Sequence, residues 1–188
     1  LVPEYRFPVP VTQANQAMEY IDKHKDEYHL NMEKIIVMGQ SAGAIITSQL
    51  GSVISNPDYA ELLGITPSVD SSKIKALVID DAPLDYRSFN LATKYIVGNY
   101  VKGSIYLSDD EISKYNNIMH LDRNYPFSIE LAGEYRHDML ELSKALTDQG
   151  TDHLLIDPYT ETKKKQPHCF VSLERTDKTA KKAFDEMI

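Results

Sequence analysis

The segment richest in chemical potential is Lys34-Ile35-Ile36-Val37-Met38-Gly39-Gln40-Ser41-Ala42-Gly43-Ala44. A β-branched run leads into Gly-x-Ser-x-Gly, and an Ala/Ile-rich helical stretch leaves at once. The five-residue pattern alone is weak, because about one chain in twenty of this length carries it by chance at average composition. The flanking strand and helix are what make it informative. A turn this tight between strand and helix holds the serine in strained backbone angles, and bulky side chains two positions before or after it would collide. Gly39 and Gly43 are the small residues such an elbow needs. Ser41 would then stand at the carboxyl edge of a sheet and the N-terminus of a helix. There the Ala42 N–H and the helix dipole favour developing negative charge, with Gln40 beside them on the substrate and oxyanion side.

A serine hydroxyl is a poor nucleophile at neutral pH, so a base must take its proton. Imidazole suits that task because it titrates near working pH. The chain has six histidines: His24, His29, His120, His137, His153 and His168. His24 and His29 flank a helix end away from the carboxyl edge, His153 begins a strand at the opposite edge, and His120 lies in a long insertion. His168, in Gln166-Pro167-His168-Cys169-Phe170, follows the last strand, and loops after parallel strands gather at one edge. A carboxylate should orient the imidazole. It is expected after the third strand, in Gly133-Glu134-Tyr135-Arg136-His137-Asp138. Asp138 is preferred, with Glu134 as the alternative; Asp138 could equally serve as a helix cap.

These residues need a scaffold, and the hydrophobic patterning supplies one. After a proline-rich opening over Leu1 to Val11, Thr12 is expected to cap a helix reaching about Tyr28. Strands are expected over Lys34–Met38, Ile74–Ile79, Phe127–Ala132 and His153–Ile156, with helices over Ala42–Ile54, Asp138–Leu146 and Leu173–Met187. The first strand reads as buried on both faces. Between the second and third strands, residues 84–121 form a tyrosine-rich insertion long enough to act as a lid or cap, with a helix start at Ser108-Asp109-Asp110-Glu111. Strand and helix alternate, so the class is α/β: a mostly parallel sheet flanked by helices, in one domain.

Bulk properties narrow the choice. The 188 residues suffice for one core, and 42% hydrophobic with 26% charged content is ordinary for a globular protein. A net charge of −8 and the absence of a long basic run argue against a nucleic-acid partner; Lys163 to Lys165 read as a solvated loop. The single cysteine, Cys169, forms no internal disulfide and reads as a small buried hydrophobe, pointing away from His168 as neighbours do in extended chain. No apolar run is long enough to span a membrane. The expected localisation is cytoplasmic, although the start at Leu1 leaves room for a removed leader.

On these residues the chain resembles the α/β-hydrolase esterases of the hormone-sensitive-lipase-like and carboxylesterase-like branches. The opening Leu1-Val2-Pro3-Glu4-Tyr5-Arg6-Phe7-Pro8 is similar to the loop after the family's fourth strand. Gly39-Gln40-Ser41-Ala42-Gly43 is similar to its elbow and Pro167-His168-Cys169-Phe170 to its histidine segment, in the order Ser–acid–His. The resemblance implies a Ser41–His168–Asp138 (or Glu134) triad, an acyl-enzyme, an ester substrate of small or medium acyl size, and no metal or organic cofactor. Two departures stand out. Arg136 occupies the place where the family's acid sits. The family's first four strands and its His-Gly-Gly oxyanion loop have no counterpart, so the edge of the first strand is expected to be covered by a further N-terminal segment or by a second copy. The missing loop donor would be worth roughly 3 kcal/mol of transition-state stabilisation. Competing expectations are a peptidase or amidase on the same scaffold, and a non-catalytic binding module.

Overall fold

In the computed structural model, which describes residues 3–188, four strands form a single parallel sheet in the order β1-β2-β3-β4. They are β1 (Ile35–Gln40), β2 (Ile74–Asp80), β3 (Ser128–Leu131) and β4 (His153–Ile156). Parallel neighbours need crossover connections. Among the helices of the chain are α1 (Val9–Lys23), α2 (Ala42–Ser55), α3 (Pro57–Leu63), α4 (Leu91–Val101), α5 (Asp109–Tyr115), α6 (Arg136–Gln149), α7 (Tyr159–Thr162), α8 (Phe170–Leu173) and α9 (Lys178–Met187). The sheet is flanked by helices, as the alternation of patterns predicts. Leu1 and Val2, the first residues of the proline-rich opening, lie outside the described residues.

Register decides where chemistry can occur. Gln40 pairs with Asp80, Asp80 with Leu131, and Leu131 with Ile156. The strand ends are therefore level. The ladder runs one step further, with Ser41 N–H donating to Asp80 O, Asp81 N–H to Leu131 O and Ala132 N–H to Ile156 O. Ser41, Asp81 and the residues after Leu131 thus emerge together at the carboxyl edge.

Alternation along the strands builds two core layers. Leu77 and Ile79 meet Leu50 and Val53 of α2 and Met139, Leu142 and Leu146 of α6 on one side. Val78, Ile129, Leu131 and Ile156 meet Phe170, Val171, Ala180 and Ala183 on the other. β3 also carries Ser128 and Glu130 into the first layer, both fully buried.

Several elements differ from the expected ones. α1 begins at Val9, ahead of Thr12, and ends at Lys23. Prolines in a first turn lose no helical hydrogen bond, so the proline-rich opening is part helix. The C-terminal helix is two pieces, because the Asp177 side chain accepts from Thr179 and Ala180 N–H and starts α9 afresh. The first strand is not buried on both faces. Ile36 is 66% exposed and Met38 53% exposed, since β1 ends the sheet among the described residues and only its other face meets the core. Between β2 and β3, α5 opens with the expected capping box of Ser108 and Glu111. Tyr86 and Tyr115 there are buried anchors, Tyr115 Oη donating to Pro83 O at 2.5 Å, whereas Tyr95 and Tyr106 face solvent. Among the described residues no helix is long and apolar enough to cross a membrane.

Candidate active site

Ser41 joins β1 to α2 with φ 53° and ψ −120°, a conformation that non-glycine residues adopt only when their surroundings enforce it. The enforcement is visible at Gly39. A Cβ there would lie 2.2 Å from Gly43 O and 2.4 Å from Thr47 Oγ1, so strand and helix meet without room for a side chain. Gly43 is different: a Cβ there would meet nothing within 4 Å among the described residues. Ala42 is exposed and is the first residue of α2, so its N–H has no intrahelical partner.

His168, in the loop between α7 and α8, is half-buried and reaches both neighbours expected of a serine-activating base. Its Nε2 lies 2.8 Å from Ser41 Oγ, and its Nδ1 lies 2.7 Å from Asp81 Oδ2. The Tyr135 ring packs edge-on against the imidazole at 5.3 Å. The remaining histidines are engaged or solvated elsewhere. His24 stacks on Tyr20, His120 on Tyr59, His153 bonds Ser143, and His29 and His137 are exposed.

The carboxylate that meets the imidazole is Asp81, which is neither of the acids expected from sequence. Asp81 follows β2 directly with φ 57° and is fully buried. Its Oδ1 accepts from Gly133 and Tyr135 N–H at 3.1 and 2.8 Å, and its Oδ2 accepts from Glu134 and Cys169 N–H at 3.0 Å each. Two loops converge on this one side chain from the ends of other elements. They approach so closely that a Cβ on Gly133 would lie 2.7 Å from Asp81 Oδ2 and 2.8 Å from Pro167 O.

Asp138 is corrected to a structural position. Its Oδ1 accepts from Leu84 and Asp85 N–H, both at 2.8 Å, and burial pushes its pKa up. It ties the segment after β2 to α6 and does not reach His168, because α6 starts two residues earlier than expected and carries Asp138 into its buried face. Glu134 is exposed, with Oε2 3.8 Å from His168 Nδ1, outside hydrogen-bond range. Arg136, in the place expected for the acid, makes a forked pair with the buried Asp157 at 2.7–3.0 Å and lies 4.7 Å from the Tyr159 ring. The Gln40 side chain turns to α8, where it donates to Ser172 Oγ. The signal that could have found Asp81 is its place: two consecutive aspartates, Asp80 and Asp81, end a buried strand at the edge that carries Ser41.

Beside the imidazole a cleft of about 220 Å³ is lined by Asn90, Thr93, Glu134, Tyr135, His137 and Lys165, among others. Behind it, Cys169 is buried with φ 52°, so the chain is not extended there and Sγ turns toward His168 and Asp81. These three side chains offer the described residues' one set of clustered nitrogen, sulfur and oxygen donors fit for a metal.

A parallel sheet with a serine held in a strained strand-to-helix turn at its carboxyl edge defines the class, the α/β-hydrolases. The chain belongs to the BD-FAE family, whose family model matches residues 1–134. Over 46 residues, 24% of this chain, it is 41% identical to an acetyl esterase of Salmonella paratyphi B, and that stretch is 14% of the relative. In three dimensions it is similar to esterase B from Lactobacillus rhamnosis, with a TM-score of 0.74 at 12% identity, covering 100% of this chain and 61% of that one. It is likewise similar to an esterase from Pyrobaculum calidifontis, with a TM-score of 0.65 at 19% identity, covering 98% and 61%. The chain thus spans about three fifths of the length of these structures, and at such identities the likeness shows the fold alone.

Proposed function

We propose that this chain carries the catalytic centre of a serine carboxylic-ester hydrolase acting through Ser41, His168 and Asp81. The observation that supports this reading is the unbroken hydrogen-bonded line from Ser41 Oγ through the imidazole to Asp81. With Nδ1 protonated toward Asp81, Nε2 is free to accept the serine proton. The oxygen attacks the ester carbonyl, and the tetrahedral oxyanion forms beside the Ala42 N–H. The imidazolium returns the proton to the departing alcohol as the acyl-enzyme forms. Water then repeats the sequence and releases the acid. Asp81 holds the imidazole in one tautomer and balances its charge.

Membership of an esterase family and the 46-residue likeness to acetyl esterases favour small acyl groups. The segment between β2 and β3 acts as the cap, with α4 beside Tyr135 through the Thr93–Tyr135 hydroxyl contact. A fluorophosphonate probe is expected to label Ser41, and the chain to turn over p-nitrophenyl acetate faster than an aminoacyl anilide. Equal labelling of Ser41→Ala, or no acyl-enzyme with any activated ester, would overturn the reading.

A further inference from the structure

Behind the imidazole lies a set of atoms that ester cleavage does not use. Cys169 Sγ, a ring nitrogen of His168 and an Asp81 carboxylate oxygen all lie within 4.8 Å of one another, with His168 Nδ1 2.7 Å from Asp81 Oδ2. A separate observation beside it points to unbalanced negative charge. Asp80 is fully buried, and neither of its carboxylate oxygens has a hydrogen-bond partner among the described residues. The main-chain oxygen of Asp80 lies 4.0 Å from Cys169 Sγ, so the two residues sit side by side. Two carboxylates and a thiol thus crowd behind one imidazole, a charge pattern that a divalent cation relieves.

We propose that Asp81, His168 and Cys169, with Asp80 alongside, form an inhibitory binding site for a thiophilic divalent cation such as zinc or cadmium. Thiolate and imidazole select such ions over magnesium or calcium, which prefer all-oxygen shells. The half-exposed imidazole provides the route in. A tetrahedral ion with bonds of about 2.0–2.3 Å holds its ligand atoms roughly 3.5 Å apart, so on binding the His168–Asp81 pair opens from 2.7 Å while the wider separations close by about an ångström. The Cys169 thiol releases its proton to solvent as the sulfur–metal bond forms. The neutral imidazole has one N–H. When the metal takes the Nδ1 lone pair, that proton moves through solvent to Nε2. Nε2 then donates to Ser41 Oγ and no longer accepts from it, so the serine loses its base. Binding itself is independent of the hydrolase reading; the inhibition rests on it.

The test is calorimetric titration of the full chain with zinc, cadmium and magnesium chlorides, alongside Co²⁺ absorption and hydrolysis of p-nitrophenyl acetate. One saturable zinc per chain with proton release is expected, with no response to magnesium. Affinity should fall roughly 100-fold in Cys169→Ser and stay unchanged in Ser41→Ala. The cobalt–thiolate charge-transfer band should vanish in Cys169→Ser. Hydrolysis should fall in step with zinc occupancy and return with EDTA, while the hydrolysis of Cys169→Ser, whatever its starting rate, should not respond to zinc at the same concentrations. Circular dichroism checks folding; if Cys169→Ser is unfolded, His168→Gln should show the same loss of zinc. Absence of saturable zinc binding, or wild-type affinity in a folded Cys169→Ser, overturns the proposal. Zinc binding without ester turnover would sink the hydrolase reading and leave the site standing; turnover without zinc binding would do the reverse.

Discussion

The Asp81 carboxylate meets five N–H groups, four from the backbone of two loops and one from His168. It is therefore both the partner of the imidazole and the post on which the loops are tied. Asp81→Asn places an amide where Nδ1–H must donate and favours the wrong tautomer, so kcat for p-nitrophenyl acetate should drop by roughly 10³–10⁴. Glu134→Gln should change it only a few-fold, because that carboxylate is exposed and beyond hydrogen-bond range. A Glu134→Gln loss as deep as that of Asp81→Asn would reassign the acid. Asp138→Ala makes the converse case. Two N–H groups, one of them buried, lose their acceptor, so unfolding in urea should show a loss of about 2–4 kcal/mol with turnover per folded molecule preserved.

Strand β3 carries an acid where an apolar residue would pack. Glu130 is fully buried with both oxygens unpartnered among the described residues, and burial pushes its pKa to about 8. The folded chain thus holds this proton more tightly than the unfolded chain does. The associated stability is fully present below an ordinary carboxyl pKa and is lost as pH rises through about 8. Glu130→Gln, neutral throughout, should therefore gain on the parent chain as pH rises across that window, by a total on the order of 4 kcal/mol. Unfolding midpoints measured against pH check this; a constant difference would contradict it. The elbow between β1 and α2 allows a sharper contrast. Gly39→Ala drives a Cβ into the backbone of Gly43 and should cost about 3 kcal/mol or more, whereas Gly43→Ala should leave the midpoint within about 0.5 kcal/mol.

The sheet as a whole ends on an apolar edge. Ile36 and Met38 are exposed on β1, and a groove of about 440 Å³ beside them is lined by Met38, Val171, Phe184 and Met187, among others. An unpaired strand with apolar side chains invites pairing with another chain. Sedimentation velocity should show association that grows with concentration, and Met38→Lys should weaken it by placing a charge at the edge. Concentration-independent sedimentation of the parent chain would refute this.

The four strands, their parallel arrangement and the α2 and α6 helices were legible from hydrophobic period and from Gly, Asp and Pro punctuation, with β4 matching residue for residue. Ser41 and His168 were legible because an elbow and a loop after the last strand are local patterns. The identity of the carboxylate was not. Which acid meets an imidazole depends on how three loops from three strands pack, and the position of Asp80-Asp81 at a strand end marks it as a candidate without ranking it above Glu134 or Asp138. The same holds for Asp138, whose neighbours Leu84 and Asp85 lie more than fifty positions away, and for β1, whose β-branched run is the same whether or not a neighbouring strand covers it. Short-range chemistry along the chain determined the elements and the strained turn that presents Ser41. Long-range packing, which brings together residues that share no local signal, decided which carboxylate meets the imidazole, the turn of Cys169 toward that ring and the exposure of the sheet edge.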